Sequence, residues 1–404
     1  MSGLLIHGAR QVLTLRGAGS PRRGTALRNL SIIEDGSILI EDGKICDVGP
    51  TRRIENLALA RRAQQISARG RVVMPGFVDS HMRLISAQGQ GIADCDPSAA
   101  VRDIRQTPAW RLTADANAQL RRCLRYGTTT IDVKSGAGID EASDLKLLHI
   151  LAALAKEQPI DLVSTYCGPT AIPQDSSGSP DAYVERLISH MLPLLREKNL
   201  ANFVALNPAH LKHAHCEAIG DAAARLGLRI KIHSDTPVDS CATNATTVEH
   251  LEYVSETGMD DMADSAAIAV LMPSYGFHSQ QRGYAPAREL IARGVAVALA
   301  SGYDRSVNPS FSMPITIELA CRRLGMAPSE AIVAATLNAA FAVGRGESTG
   351  SIEPGKNADI LILETPDYRD LAYETGVNPV DITIIRGEVV CQNSVAYGAA
   401  TIAG

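Results

Sequence analysis

Aromatic side chains, paired cysteines and long apolar runs are all scarce in this chain. Aromatic residues make up 4% of the 404 residues, and Trp110 is the single tryptophan, so platforms that stack nucleic-acid bases or sugars are not expected. The formal charge of −5 disfavours a nucleic-acid partner, because phosphates are bound by Lys and Arg. No stretch approaches the roughly 20 apolar residues of a membrane span, and no signal peptide is visible. We therefore expect a soluble cytoplasmic protein with neither a membrane nor a nucleic-acid partner.

The cysteines do not form metal-binding or redox motifs. They lie at positions 46, 95, 123, 167, 216, 241, 321 and 391. Zinc knuckles and dithiol redox centres use Cys-x-x-Cys pairs, and no such pair occurs here. We expect reduced thiols that behave as small hydrophobic side chains. Any metal site would depend on histidine and carboxylate ligands, which makes the ten histidines the residues to follow.

Both ends of the chain have the composition of β-sheet. Val, Ile and Leu are concentrated in short segments between turn signals such as Glu41-Asp-Gly43 and Glu353-Pro-Gly-Lys356. We predict that residues 1–75 and 346–404 together form one small β-sandwich domain. Residues 76–345 then form a single uninterrupted domain between them.

This central segment alternates between short apolar strands and amphipathic helices. The strand candidates are 76–82, 128–134, 161–167, 202–206, 228–233, 246–251, 267–272 and 295–300. No Gly-x-Gly-x-x-Gly follows the first strand, which argues against a dinucleotide-binding sheet. Eight such units predict an α/β fold, a (β/α)8 TIM-like barrel. The weakest unit is the fifth, because its link of 234–245 is too short for a full helix.

The carboxyl ends of the strands hold the candidate active-site residues, because a (β/α)8 barrel builds its site there. His81 lies at the end of strand one, His233 at the end of strand five and His250 at the end of strand six. A single histidine on an apolar strand is more often structural, whereas three at corresponding positions indicate a shared functional site. The other candidates near strand ends are Arg83, Lys134, Tyr166, Cys167, Asn207, Ser274 and Asp304.

Several of these segments resemble the amidohydrolase superfamily and, within it, the imidazolonepropionases. The segments are 73–81, 128–139, 231–235, 248–253, 335–340, 350–359 and 366–378. Pro366–Asn378 is the most specific, as a near copy of a tail typical of that family. The resemblance extends over essentially the whole chain. It implies a hydrolase of a small cyclic amide and a homodimer.

The resemblance also implies where a metal would be bound. Members of the family hold one divalent metal with a His-x-His on strand one, a His on strand five and an Asp on strand eight. His81 and His233 match two of these positions. Arg83 stands at the second histidine and Gly302 at the aspartate, while Asp304 would fit only after a shift of two residues. A guanidinium cannot act as a ligand and repels a nearby dication, so we predict no metal and no other cofactor.

Substrate-facing positions of the family are changed as well. Ala137 replaces a tyrosine after strand two, and Thr170 replaces a histidine after strand three. The loop of residues 86–95 lacks the family's arginine, and residues 204–208 lack an obvious catalytic glutamate. These departures argue against an authentic imidazolonepropionase.

The leading hypothesis is a metal-independent hydrolase of an imidazolone or hydantoin-type ring with a carboxylate side chain. The bond cleaved is a C–N or a C=S bond, and Arg83 takes over the electrostatic role of the metal. The other expected catalytic residues are His233, His250 and Asp304. The residues expected to contact substrate are His81, Lys134, Tyr166, Thr170 and Asp235. Cys167 is expected to be idle.

Three alternatives stay open at this point. The first is a desulfhydrase of a thiohydantoin (2-thioxo-imidazolone) propionate, which fits a metal-free site because sulfur ligands bind zinc well. The second is a metal-dependent imidazolonepropionase that recruits Asp304 and another residue. The third is a catalytically inactive binding protein on an amidohydrolase scaffold.

Overall fold

The structure, a computed structural model, describes residues 3–17, 19–85, 97–135, 140–170, 179–234, 244–279 and 283–393. Within these ranges the strands are β1 (Leu4–Leu13), β2 (Ile32–Glu41), β3 (Lys44–Pro50), β4 (Gln64–Ser67), β5 (Val72–Pro75), β6 (Phe77–Arg83), β7 (Thr128–Lys134), β8 (Asp161–Tyr166), β9 (Phe203–Leu206), β10 (Arg229–Ser234), β11 (Thr247–His250), β12 (Ile268–Leu271), β13 (Ala296–Leu299), β14 (Tyr303–Asp304), β15 (Ile360–Leu363), β16 (Val380–Ile385) and β17 (Glu388–Gln392). The α-helices are α1 (Thr51–Ile54), α2 (Pro97–Gln106), α3 (Ala109–Arg125), α4 (Glu141–Glu157), α5 (Pro180–Arg186), α6 (Leu192–Glu197), α7 (His213–Arg225), α8 (Glu256–Asp264), α9 (Pro273–Ser279), α10 (Ala287–Ala292), α11 (Met313–Arg323), α12 (Pro328–Ala335), α13 (Leu337–Ala342) and α14 (Asp370–Tyr373).

The strands of the two chain ends pair in one mixed sheet. Its order is β17-β16-β15-β5-β1-β2-β3, and β4 also pairs with β1. The two ends meet where β15 runs antiparallel to β5, with Ile362 opposite Val73. Alternate side chains of both ends, including Ile6, Ile38 and Ile384, share one buried core, because successive residues of a strand face opposite sides. The chain ends thus come together as the sequence predicts, while the domain boundaries stay a prediction.

The central strands form a parallel sheet that closes on itself. Its order is β13-β12-β11-β10-β9-β8-β7-β6-β14. β13 pairs with β12, while β14, a few residues further along the chain, pairs with β6 through Tyr303 opposite Met82 and Asp304 opposite Arg83. Strand eight therefore joins strand seven at its start and strand one at its end, which is the closure that a barrel requires. The predicted (β/α)8 TIM-like barrel is confirmed, and β6 to β13 lie at the eight predicted strand positions.

Local capping and an apolar face explain how the helices pack on the barrel, as α4 illustrates. Asp140 precedes the helix and accepts a hydrogen bond from the backbone N–H of Ser143, which satisfies a donor that the first turn leaves free. Leu147, Leu151 and Leu154 recur at the spacing of one helix face and are buried. Within the described part of the chain, no helix combines the length and the apolar character needed to span a membrane.

Candidate active site

Three histidines from three different strands meet at the carboxyl end of the barrel. His81 lies on β6, His233 on β10 and His250 at the end of β11. The ring centroids of His233 and His250 are 4.4 Å apart, and the His81 ring lies 5.7 Å and 5.8 Å from them. One nitrogen of each ring lies within 4.8 Å of the corresponding nitrogens of the other two. The tertiary structure therefore gathers the histidines that the strand-end pattern selects.

A buried carboxylate, Glu249, orients the ring of His81 and lies close to that of His233. Its Oε2 lies 2.8 Å from Nδ1 of His81 and 3.9 Å from Nδ1 of His233. Burial lowers the pKa of His81 to about 3, so this ring is neutral near pH 7 and carries one proton. A neutral imidazole that faces a carboxylate through Nδ1 places its proton there, which leaves Nε2 of His81 with a lone pair. Glu249 thus decides which nitrogen of His81 is available to a bound group.

Glu249 belongs to a chain of four buried charges inside the barrel. Lys134 donates to Oε1 of Glu249 at 2.7 Å and lies 3.0 Å from Asp132, and Lys231 donates to the same Oδ2 of Asp132 at 2.7 Å. All four side chains are at most 1% exposed, and their formal charges cancel. Such pairing is required because moving an ion out of water costs several kcal/mol. In this structure Lys134 holds Glu249 in place, and its contact with substrate stays a prediction.

The contacts of Glu249 and Lys134 explain why both groups are charged. Although burial favours the neutral acid, Lys134 and His81 hold the pKa of Glu249 well below its ordinary value. Burial opposes the charged form of Lys134 as well, but Asp132 and Glu249 raise the pKa of the ammonium group above its ordinary value. The carboxylate and the ammonium are therefore both charged at neutral pH.

Arg83 and Asp304 lie side by side where β6 meets β14. Nε of Arg83 is 3.8 Å from Oδ2 of Asp304, which is longer than a hydrogen bond, and their side chains are 24% and 18% exposed. Oδ1 of Asp304 accepts hydrogen bonds from the backbone N–H of Ser306 at 3.0 Å and from its hydroxyl at 2.6 Å. Asp304 is thus held by its own turn and provides a partial counter-charge for the guanidinium.

The position that the resemblance assigns to an aspartate ligand has little room for any side chain. Gly302 has φ of +64°, a left-handed conformation that favours glycine. A Cβ at this position would lie 3.0 Å from Sδ and 3.1 Å from Cβ of Met272. Met272 is buried and fills this space. Backbone conformation and packing both agree with the loss of this ligand.

Of the remaining residues predicted to contact substrate, Tyr166 and Thr170 lie at the end of strand three. Tyr166 is buried and hydrogen-bonded to Tyr183, and the hydroxyl of Thr170 donates to the carbonyl of Cys167 at 2.6 Å. Burial raises the pKa of the Cys167 thiol to about 12, which makes it a poor nucleophile at neutral pH. Asp235 lies outside the described residues. Roles in substrate contact for Tyr166, Thr170 and Asp235 stay predictions.

The strand-end pattern missed the carboxylates that hold this site. Asp79 is fully buried on β6 and accepts hydrogen bonds from the backbone N–H and the hydroxyl of Ser301, at 3.0 Å and 2.5 Å. Glu249 and Glu252 flank His250 within a segment that already carries the family resemblance. The available signal was a charged residue inside an apolar strand, because such a residue has to be paired when it is buried.

Comparisons with known proteins agree with this architecture. A model of the amidohydrolase family matches residues 72–390. The imidazolonepropionases of Chloroflexus aggregans and Solibacter usitatus are each 36% identical to this chain, over 96% and 98% of it and over 99% and 100% of their own lengths. An adenosine deaminase from Xanthomonas campestris, solved with bound zinc, has a TM-score of 0.73 at 19% identity and covers 96% of this chain and 92% of its own. The guanine deaminase of E. coli has a TM-score of 0.73 at 17% identity, covering 98% of this chain and 100% of its own. These two structures share the fold, and the sequence relatives establish that this chain belongs to the amidohydrolase family as an imidazolonepropionase-like hydrolase.

Proposed function

We propose that this protein hydrolyses a small five-membered imidazolone or hydantoin-type ring that carries a carboxylate side chain, and that it does so without a metal. The observation that carries the proposal is the joint change at two ligand positions of the family. Arg83 puts a permanent cation at the end of strand one, and at Gly302, which follows strand eight, Met272 fills the space that a side chain would need. Each of the two changes lowers the affinity of the site for a divalent metal ion.

The family's four-ligand set does not fit these residues. Two ligands are left, His81 and His233, and the anionic ligand on strand eight is missing. The buried carboxylate nearest to them, Glu249, already has its charge offset by Lys134 at 2.7 Å. A dication held by His81 and His233 would therefore meet two imidazole ligands and a carboxylate, that of Glu249, whose charge Lys134 already offsets.

Arg83 is proposed to stabilise the charge that develops on the substrate. Its guanidinium donates hydrogen bonds to the ring carbonyl oxygen as water adds to the carbon, and Asp304 limits the rotation of the side chain. One such donor is worth about 10²- to 10³-fold in rate. This is the electrostatic contribution that a metal makes in the zinc-dependent members of the fold.

The proton is carried by an imidazole, because histidine titrates near neutral pH. His250 or His233 accepts a proton from the attacking water and returns it to the ring nitrogen when the C–N bond breaks. His81, whose Nδ1 faces Glu249, presents Nε2 as a hydrogen-bond acceptor for a ring N–H. The product is one ring-opened molecule that carries a new carboxylic acid at the former carbonyl carbon and an N–H at the former ring nitrogen.

A thiohydantoin propionate is the more specific substrate that we propose. Water adds to the C=S carbon, the C–S bond breaks, and hydrosulfide leaves while a C=O bond forms. Hydrosulfide is a soft ligand that binds zinc, so a metal-free site escapes inhibition by this product. We also propose, on the family resemblance alone, that the protein is a homodimer, and the expected location stays the cytoplasm.

A metal-dependent imidazolonepropionase is the second candidate function, and one observation favours it. The three ring nitrogens of His81, His233 and His250 lie within 4.8 Å of one another, and three histidines with an open fourth position are a ligand set that catalytic zinc uses. These three side chains would hold the ion, which would supply Lewis acidity at the substrate oxygen.

The test combines metal analysis with a substrate screen. The purified protein is measured by elemental mass spectrometry, treated with EDTA, and assayed on imidazolone, hydantoin and thiohydantoin propionates, with separate detection of ring opening and of sulfide. We expect turnover of one of these rings that survives EDTA. An essential stoichiometric zinc would establish the second candidate instead, and no turnover of any ring would favour an inactive binding protein.

Arg83 is tested by Arg83→Met, with Arg111→Met on the exposed side of α3 as the matched control. We expect Arg83→Met to lower kcat at least 10²-fold and the control to leave it unchanged. Full turnover by Arg83→Met would show that Arg83 does not replace the metal.

A further inference from the structure

We propose that Glu252 is a positioning residue for His250. Its carboxylate holds the imidazole proton on Nδ1 and thereby keeps Nε2 of His250 unprotonated and available as an acceptor. The part that His250 then plays in hydrolysis rests on the proposed function, whereas the pairing itself does not.

The first observation is a pair of unsatisfied buried atoms. Nδ1 of His250 and Oε2 of Glu252 are both buried and have no hydrogen-bond partner in the described structure. They lie 3.6 Å apart, and their side chains are 3% and 4% exposed. Buried polar atoms are almost always paired, and one atom of this pair can donate while the other can only accept. A shift of less than about 1 Å would join them in a charge-assisted hydrogen bond.

The second observation is the backbone between the two residues. His250 has φ of +78° and Leu251 has φ of +70°, and neither residue is glycine. Left-handed conformations are disfavoured for residues with a Cβ, and two in a row persist only where the surroundings enforce them. This sharp turn after β11 is the geometry that brings the side chains of residues 250 and 252 to within 3.6 Å of each other.

The third observation is a pattern shared by the three histidines of the site. A carboxylate oxygen faces Nδ1 of each ring, at 2.8 Å from His81, 3.9 Å from His233 and 3.6 Å from His250. Glu249 is hydrogen-bonded to His81 and lies near His233, and Glu252 lies near His250. The aromatic rings next to His250 are those of His233, Tyr275 and His81, at 4.4 Å, 5.1 Å and 5.8 Å, and none of these side chains carries a carboxylate. Histidines with a catalytic or ligand role commonly have such a partner on the other ring nitrogen.

The length of 3.6 Å fits a dyad that tightens when substrate binds. Catalytic hydrogen bonds are often long in free enzymes and shorten in the complex. When Nε2 of His250 accepts a proton from water, the ring becomes a cation, and the Glu252 carboxylate stabilises it across the Nδ1–H bond. Proton transfer thus creates the charge that Glu252 is placed to offset.

The test reads the tautomer of His250 directly. Protein labelled with ¹⁵N-histidine and treated with EDTA is compared with Glu252→Leu by two-bond ¹H–¹⁵N correlation, with His250→Asn to assign the signals. We expect His250 to carry its proton on Nδ1 in the natural protein and to shift toward the Nε2–H form in Glu252→Leu. Glu252→Gln, which keeps an oxygen acceptor, should retain the Nδ1–H form. Glu256→Leu, at an exposed glutamate on α8, is the matched control and should change nothing.

An unaltered His250 tautomer in folded Glu252→Leu would overturn the proposal. If the leucine variant does not fold, Glu252→Ser replaces it in the NMR measurement. Its hydroxyl is too short to reach Nδ1 of His250, so the same shift of the His250 tautomer is expected. On a substrate that the protein turns over, Glu252→Leu should lower kcat about 10²-fold with little change in KM, and Glu252→Gln should recover part of the loss. Since the NMR measurement needs no substrate, failure of the proposed reaction and failure of the Glu252 pairing are distinguishable.

Discussion

The buried charge chain makes a sharp prediction for Glu249→Gln. This change keeps the size of the side chain but removes the negative charge that lies 2.7 Å from Lys134 and 3.7 Å from Lys231. Two buried ammonium groups would then share a single carboxylate, that of Asp132. Removing one partner of a buried ion pair costs about 3–5 kcal/mol, because the other charge stays buried without compensation. We expect the free energy of unfolding to fall by about this amount.

The measurement is urea unfolding followed by far-ultraviolet circular dichroism. Tryptophan fluorescence is a poor probe here, because Trp110 is 71% exposed. The midpoint should fall while the m-value stays the same, since the surface exposed on unfolding does not change. The matched control is Asp47→Asn, which removes a charge from a partly exposed pair with Arg53 and should cost less than about 1 kcal/mol.

A double variant separates this pairing from a general loss of packing. Glu249→Gln combined with Lys134→Met removes one charge of each sign, so its loss should be smaller than the sum of the two single losses. If Glu249→Gln costs no more than Asp47→Asn, or if the double variant is additive, the chain of charges does not stabilise the fold as described.

Further predictions concern Asp79, Cys167 and the lost ligands. Burial raises the pKa of Asp79 to about 6 against an ordinary value of 3.8, despite the hydrogen bonds from Ser301. Between about pH 4 and 6 the folded protein holds a proton that the unfolded chain releases, so the free energy of unfolding should fall as the pH rises through this window. Asp79→Asn should remove up to about 3 kcal/mol of this pH dependence, measured by urea unfolding at each pH, and an unchanged slope would contradict the assigned shift. Cys167→Ser should keep turnover within about twofold, and iodoacetamide should label the exposed Cys46 well before Cys167, because a buried thiol with a pKa of about 12 is protonated. Arg83→His, Met272→Ala and Gly302→Asp in one protein should restore the family's ligand set and bind about one zinc per chain by elemental mass spectrometry, whereas Gly302→Asp alone should not. A triple variant without zinc would show that the ligand positions are misassigned.

Much of the architecture follows from the sequence, because it is written in short-range periodicity. Apolar segments of strand length that alternate with helical patterns predict eight βα units, and these match β6 to β13. Parallel strands of a closed barrel end on the same side, so His81, His233 and His250 could be placed together before their contacts were known. The changes at Arg83 and Gly302 are likewise visible in the sequence, once the family pattern is recognised.

Only the tertiary structure decides how those residues are held. Lys134 and Glu249 are 115 positions apart in the chain, and no local pattern pairs them. The contact of Met272 with the Gly302 position and the turn that brings Glu252 to His250 depend on packing and on backbone angles that residue types do not specify. The physical reason is that periodicity reports which face of a strand is buried, whereas the protonation of a buried group depends on the few charges within about 4 Å of it. The sequence by itself determined the barrel and the positions of its histidines, and the folded chain decided that Nδ1 of His81 faces the carboxylate of Glu249.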